Sequence, residues 1–128
     1  MIKLRPLLED SFIPRTPINV LYSDDEGSSV EIVTSLNSND FLQDIRILFN
    51  CTAKVNVTAL YFPEFNYNEY KIIDGGNECG LYQIMNPSKE ELDTFDPKGN
   101  LNLKYFLVYG YDSYVEIICS NFEIQKIP

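Results

Sequence analysis

The chain of 128 residues contains no histidine and no tryptophan. Without histidine, Ser-His-Asp and Cys-His nucleophile systems, histidine general bases and most zinc sites fall away together. Cysteine is scarce. Cys51, Cys79 and Cys119 are an odd number at wide spacing, with no C-x-x-C pair. That usage argues against a disulfide framework or a zinc signature and points to reduced thiols. Phosphate-binding glycine loops are missing. Gly75-Gly76 lacks the lysine and the helix start that a phosphate cradle needs, so it reads as a turn. No run approaches the roughly 18 apolar residues of a membrane span. The first apolar run stops at Leu8, too short for a signal-peptide core, and a cytoplasmic location is the expectation. Two matches to the glycosylation acceptor pattern, at Asn50 and Asn56, have no sign of secretion beside them.

Positive charge is also in short supply. Nineteen acids face ten bases, for a net charge of −9. A field of that sign repels phosphate backbones and anionic lipid, so neither nucleic acid nor membrane is an expected partner. It speeds the approach of a basic protein. The same surplus also serves plain solubility.

Apolar residues make up 45% of the chain and aromatics 13%, enough for one core in one domain over residues 1–128. Seventeen Tyr and Phe bias it toward strands. Residues 1–17 hold Pro6, Pro14 and Pro17 and read as an extended, proline-containing arm. Strands are expected at 18–22, 30–36, 41–51, 53–62, 70–73 and 81–85. A hairpin near Asn50–Thr52 would join the third and fourth of these, and β alternation in the fourth would bury Val55 and Val57. Ser88 with Glu91 three residues on has capping-box spacing, so a short helix is expected near 88–95, with Leu92 and Phe95 as its apolar face. The run from Leu101 to Ile127 reads as strand–turn–strand about Gly110–Ser113, a hairpin central to a sheet. The expected core is Ile45, Ile47, Val55, Val57, Phe106, Val108, Val115, Ile117 and Cys119. The fold class is α+β, mainly antiparallel β: a twisted sheet, sandwich or partly open barrel with one short helix.

The sequence carries little chemistry. Asp112 and Glu116 flank the central hairpin and could form the carboxylate pair of a hydrolase. Equally, Asp112 suits a turn and Glu116 a solvent-facing strand position. Asp24-Asp25-Glu26 lacks the offsets of a calcium loop and reads as a solvated turn. Cys79 beside Glu78 has no cation to activate its thiol. The densest local signal is Tyr61-Phe62-Pro63-Glu64-Phe65-Asn66-Tyr67-Asn68-Glu69-Tyr70, where rings alternate with acids and amides. Tyrosine offers contact area plus a hydroxyl, and the mixture suits recognition of a basic protein as well as loop aromatics folded onto a core.

The segment Leu103–Ile118 resembles the C-terminal pattern of a group of small bacterial β-rich proteins, some of immunity-protein type. That pattern usually carries a His-Tyr pair where this chain has Tyr105-Phe106. The resemblance implies a bacterial cytoplasmic protein that binds and neutralises another protein. It transfers no catalytic residue.

Three functional readings follow, in this order. The first is a non-enzymatic acidic module, such as an immunity protein, that binds a basic toxin. Its contacts would be Tyr61, Glu64, Phe65, Tyr67, Glu69, Tyr70, Tyr111, Asp112, Tyr114 and Glu116. The second is a structural homodimer closed by aromatic residues. The third is a small carboxylate-based hydrolase or ligand pocket. No cofactor and no metal is expected in any of them.

Overall fold

The computed structural model describes residues 2–7, 18–25, 27–38, 41–59, 70–73, 80–110 and 113–128; of 36–38, 41–42 and 70 it describes the backbone alone. The elements in chain order are β1 (Ile2–Pro6), β2 (Asn19–Ser23), β3 (Ser29–Ser38), β4 (Phe41–Asn50), β5 (Lys54–Ala59), β6 (Tyr70–Ile72), β7 (Leu81–Ile84), α1 (Lys89–Phe95), β8 (Lys104–Tyr109), β9 (Ser113–Cys119) and β10 (Asn121–Lys126). They form a six-stranded sheet, β5-β9-β8-β7-β1-β6, and a four-stranded sheet, β10-β4-β3-β2. Every pairing is antiparallel except β1 with β6. The expected α+β class with antiparallel sheets holds at this level, and the sheets do not close into a barrel. Among the described residues no helix is long and apolar enough to cross a membrane.

The two sheets pack face to face because each has an alternating apolar face. Val30, Ile32, Ile45, Ile47 and Phe49 come from the four-stranded sheet. Leu81, Phe106, Val108, Val115, Ile117 and Cys119 meet them from the six-stranded sheet. At the centre, Phe49, Phe106 and Phe122 lie with ring centroids 5.1–6.1 Å apart. The opposite face of the six-stranded sheet is buried as well. Leu4, Tyr82, Ile84, Tyr105, Leu107 and Ile118 form a second cluster, joined by Leu103 and by Leu92 of α1. This explains why β8 is apolar on both sides: it is a central strand covered on both.

Most expected elements are present. Ser88 caps α1, its hydroxyl accepting from the Glu91 N–H at 3.3 Å. Four expectations fail for physical reasons. No hairpin joins β4 to β5. Cys51 takes φ +54°, and the chain crosses there from one sheet to the other. β4 then pairs with β10, and β5 with β9. The partner chain bends at the same level, where the Ser120 N–H donates to the Asn50 carbonyl. Residues 113–126 are therefore two strands in two sheets. Val57 is 52% exposed, because β5 is an edge strand and the four-stranded sheet does not cover it. Phe95 is also exposed, which leaves Leu92 as the apolar contact of α1. Nor is the N-terminal region an arm over its whole described length: Ile2–Pro6 is an interior strand of the six-stranded sheet, paired with β7 on one side and β6 on the other. Pro6 is tolerated because it ends the strand. Residues 8–17 lie outside the described residues.

Candidate functional site

Alternation places Lys54, Asn56 and Thr58 of β5, Tyr114, Glu116 and Ile118 of β9, and Tyr105, Leu107 and Tyr109 of β8 on one face. Glu116 pairs directly with Asn56 on one side and Leu107 on the other. Its carboxylate accepts from the Tyr105 hydroxyl at 2.6 Å and from the Asn56 amide at 3.5 Å. Tyr105 sits one diagonal step away across the β8–β9 ladder, within reach of a long side chain. Glu116 is thus half-buried and engaged within the protein, not aimed at solvent. Beside it, the Lys54 ammonium meets the Glu91 carboxylate of α1 at 2.7 Å. That hydrogen bond raises the Lys54 pKa above its ordinary value; burial opposes it, and the charges of Glu91 and Glu116 add to the rise.

As chemistry this cluster is limited. Glu116 is met by a phenol and an amide, both donors, and no second carboxylate is among its hydrogen-bonding partners. The arrangement ties β5, β9 and β8 together and supports recognition better than proton transfer. Among the described residues no group of three or more Cys, Asp or Glu could hold a metal ion. Tyr114 lies on the same face, partly buried against the second core. Tyr70 begins β6, at the far edge of this sheet. Tyr61, Glu64, Phe65, Tyr67, Glu69, Tyr111 and Asp112 lie outside the described residues, as does Cys79.

The ends of those segments are described, and all of them except Tyr70, which pairs with Ile2 at the opposite end, lie toward one rim of the six-stranded sheet. The Gly110 N–H donates to the Ser113 carbonyl at 2.7 Å and closes the β8–β9 turn. Ala59 pairs with Ser113. The Tyr109 N–H donates to Gly80, and the Leu7 N–H to Leu81. Ile18 reaches the same rim, its side chain lying against Gly110. Segments 8–17, 74–79 and 111–112 therefore both leave and rejoin the framework on this side, and 60–69 leaves from it. Sequence reasoning missed the Tyr105–Glu116 and Lys54–Glu91 contacts. The first follows once the hairpin register pairs Tyr109 with Tyr114; the second depends on where α1 lands, which no local pattern states. Comparison with protein-family models, with curated proteins and with solved structures finds no match.

Proposed function

We propose that this protein is a non-enzymatic acidic binding module that holds a basic partner protein, the role an immunity protein plays toward a toxin. One observation carries the reading. The described framework is nearly neutral: ten of the 19 acids and nine of the ten bases lie on described residues. The other nine acids and only Arg15 fall in the remaining segments. Seven of those acids belong to the four segments that depart from the rim of Leu7, Ile18, Ala59, Gly80 and Gly110, together with Tyr61, Phe65, Tyr67 and Tyr111. A surplus of one sign with interleaved rings, carried by segments that share one rim of the sandwich as a point of departure, is the composition of a recognition surface.

The test is affinity capture from the source cell lysate across a salt series, repeated with Glu64→Gln/Glu69→Gln/Asp112→Asn and with Glu90→Gln/Glu123→Gln as a framework control. The expected result is one basic protein retained at low salt, thinned as salt rises, and lost with the triple variant alone. Retention that ignores the triple variant, or no retention beside a concentration-dependent mass in solution, would favour the homodimer instead.

A further inference from the structure

β2 and β5 are the adjoining edge strands of the two sheets, and nothing among the described residues pairs them. They are held side by side at both ends. At one end the Thr52 N–H donates to the Ser28 carbonyl at 3.0 Å, and the Ser28 hydroxyl donates to the Thr52 carbonyl at 2.6 Å. At the other, Ile18 packs on Gly110, next to the Ser113–Ala59 pair. β2 thus runs opposite to β5 along an open seam. A cavity of about 330 Å³ opens there, lined by Tyr22, Thr52, Ala53, Lys54 and Val55.

On its β2 side the seam lacks the charge, proline and bulge that natural edges use to refuse a neighbour. β2 reads Asn-Val-Leu-Tyr-Ser, with no charge and no proline. Its register with β3 is unbroken from Asn19↔Val33 to Ser23↔Ser29, so no bulge turns the edge away. Leu21 is 62% exposed and Tyr22 52%, and as consecutive residues they point to opposite faces of the sheet. A partner lying flat on either face would cover one of them. Only a chain in the plane of the sheet covers both. Val57 of β5 is exposed as well. The charge of the occupant is set by Asp24 and Asp25, both exposed, directly after β2. The one cation of β5, Lys54, is already held by Glu91.

We infer that this seam receives an extended, lysine- or arginine-bearing segment of a partner protein, added as a strand along β2. The inference rests on the basic-partner reading above and specifies how the contact is made. Main-chain hydrogen bonds supply the hold; apolar side chains on one face of the added strand and the alkyl stems of its basic residues on the other cover Leu21 and Tyr22, and the cationic heads meet Asp24 and Asp25. A second copy of this chain suits the seam less, since it would bring a further −9 of charge.

The test uses three synthetic peptides: alternating lysine and valine, the same with glutamate for lysine, and the lysine peptide with alternate backbone nitrogens methylated. Amide exchange and chemical shifts are read on the full chain. The lysine peptide should slow exchange within Asn19–Ser23 and shift residues of β2 and Lys54–Ala59. Methylation, or Leu21→Lys in the protein, should each weaken it about ten-fold or more. Equal binding by the methylated peptide overturns strand addition. Shifts confined to Gly80, Gly110 and Ser113 overturn the seam but leave the basic-partner reading standing. Equal response to the glutamate peptide overturns both. A dimer that protects β2 without peptide also overturns the proposal.

Discussion

Ser28 and Thr52 hold each other by two hydrogen bonds, main chain to main chain and hydroxyl to carbonyl. The pair fastens the β2–β3 turn to the point where the chain leaves one sheet for the other. Thr52 is buried, and its own hydroxyl donates to the Phe49 carbonyl at 3.1 Å. A sheet-to-sheet crossover takes backbone polar groups out of the ladders, and these bonds supply their partners. The same contact sets the width of the seam beside Tyr22.

Thr52→Val keeps the shape and removes the hydroxyl that satisfies Phe49. The expected cost is about 1–2 kcal/mol of unfolding free energy, since a buried acceptor loses its donor. Ser28→Ala should cost about 1 kcal/mol. Urea denaturation followed by tyrosine fluorescence measures both. If Thr52→Val is neutral, the hydroxyl bond is not part of what holds the crossover.

Gly110 and Ile18 give a second test of the seam. A Cβ on Gly110 would lie 2.9 Å from Ile18 Cγ1, 3.0 Å from Cδ1 and 3.2 Å from the Ser113 carbonyl oxygen. Gly110 does not sit in the left-handed region, so space alone decides. Gly110→Ala should destabilise by about 1–3 kcal/mol through overpacking. Ile18→Ala in the same chain should return a good part of that loss, giving a favourable coupling of about 0.5–3 kcal/mol. Strict additivity would mean that Ile18 does not press on this turn.

The sequence spoke clearly where a signal is local. Ser88 with Glu91 marked α1, and alternation in Phe106–Val108 and Val115–Ile117 marked the hairpin and its inward faces. It was silent on sheet membership. Cys51 at φ +54° turns what looked like one hairpin into a crossover, and no neighbouring residue announces it. Val57 has the alternation of a buried residue, but burial depends on how far the other sheet extends. Glu116 looked solvent-facing because its donor, Tyr105, stands eleven residues away. Of the expected binding residues, only Tyr114 and Glu116 have described side chains, and they share a face because they sit two apart on one strand.

Lys54 gives a pH prediction with a definite sign. Its pKa lies above the ordinary 10.5, chiefly through the hydrogen bond to Glu91. A folded-state pKa above the unfolded one gives stability that is fully present below the unfolded value. It is lost as pH rises through the folded value. The pair is partly exposed, with side chains 38% and 30% accessible, so its worth is about 0.2–1 kcal/mol. Lys54→Met should therefore lie below the wild type by that amount from neutral pH to about pH 10, and the gap should close above it. Added salt should narrow the gap at neutral pH. A gap that widens with alkaline pH would reverse the assignment.

Cys51 and Cys119 stand on opposite chains of the crossover, and they should differ sharply in reactivity. Cys51 is exposed. Cys119 is fully buried, and burial pushes its thiol up to about 12, while a backbone hydrogen bond at Asn121 pulls the other way. At pH 8 such a thiol is about one part in ten thousand thiolate, the form that attacks alkylating reagents. Iodoacetamide on the native protein should therefore modify Cys51 and leave Cys119 intact, read peptide by peptide by mass spectrometry. In urea the two should react alike. Phe49 packs on the same core as Cys119, so Phe49→Ala should cost about 3–5 kcal/mol and raise the Cys119 labelling rate without changing that of Cys51. If Cys119 reacts as fast as Cys51 in the native protein, the β9–β10 corner opens locally and the crossover is not the firm joint between sheets that its hydrogen bonds imply.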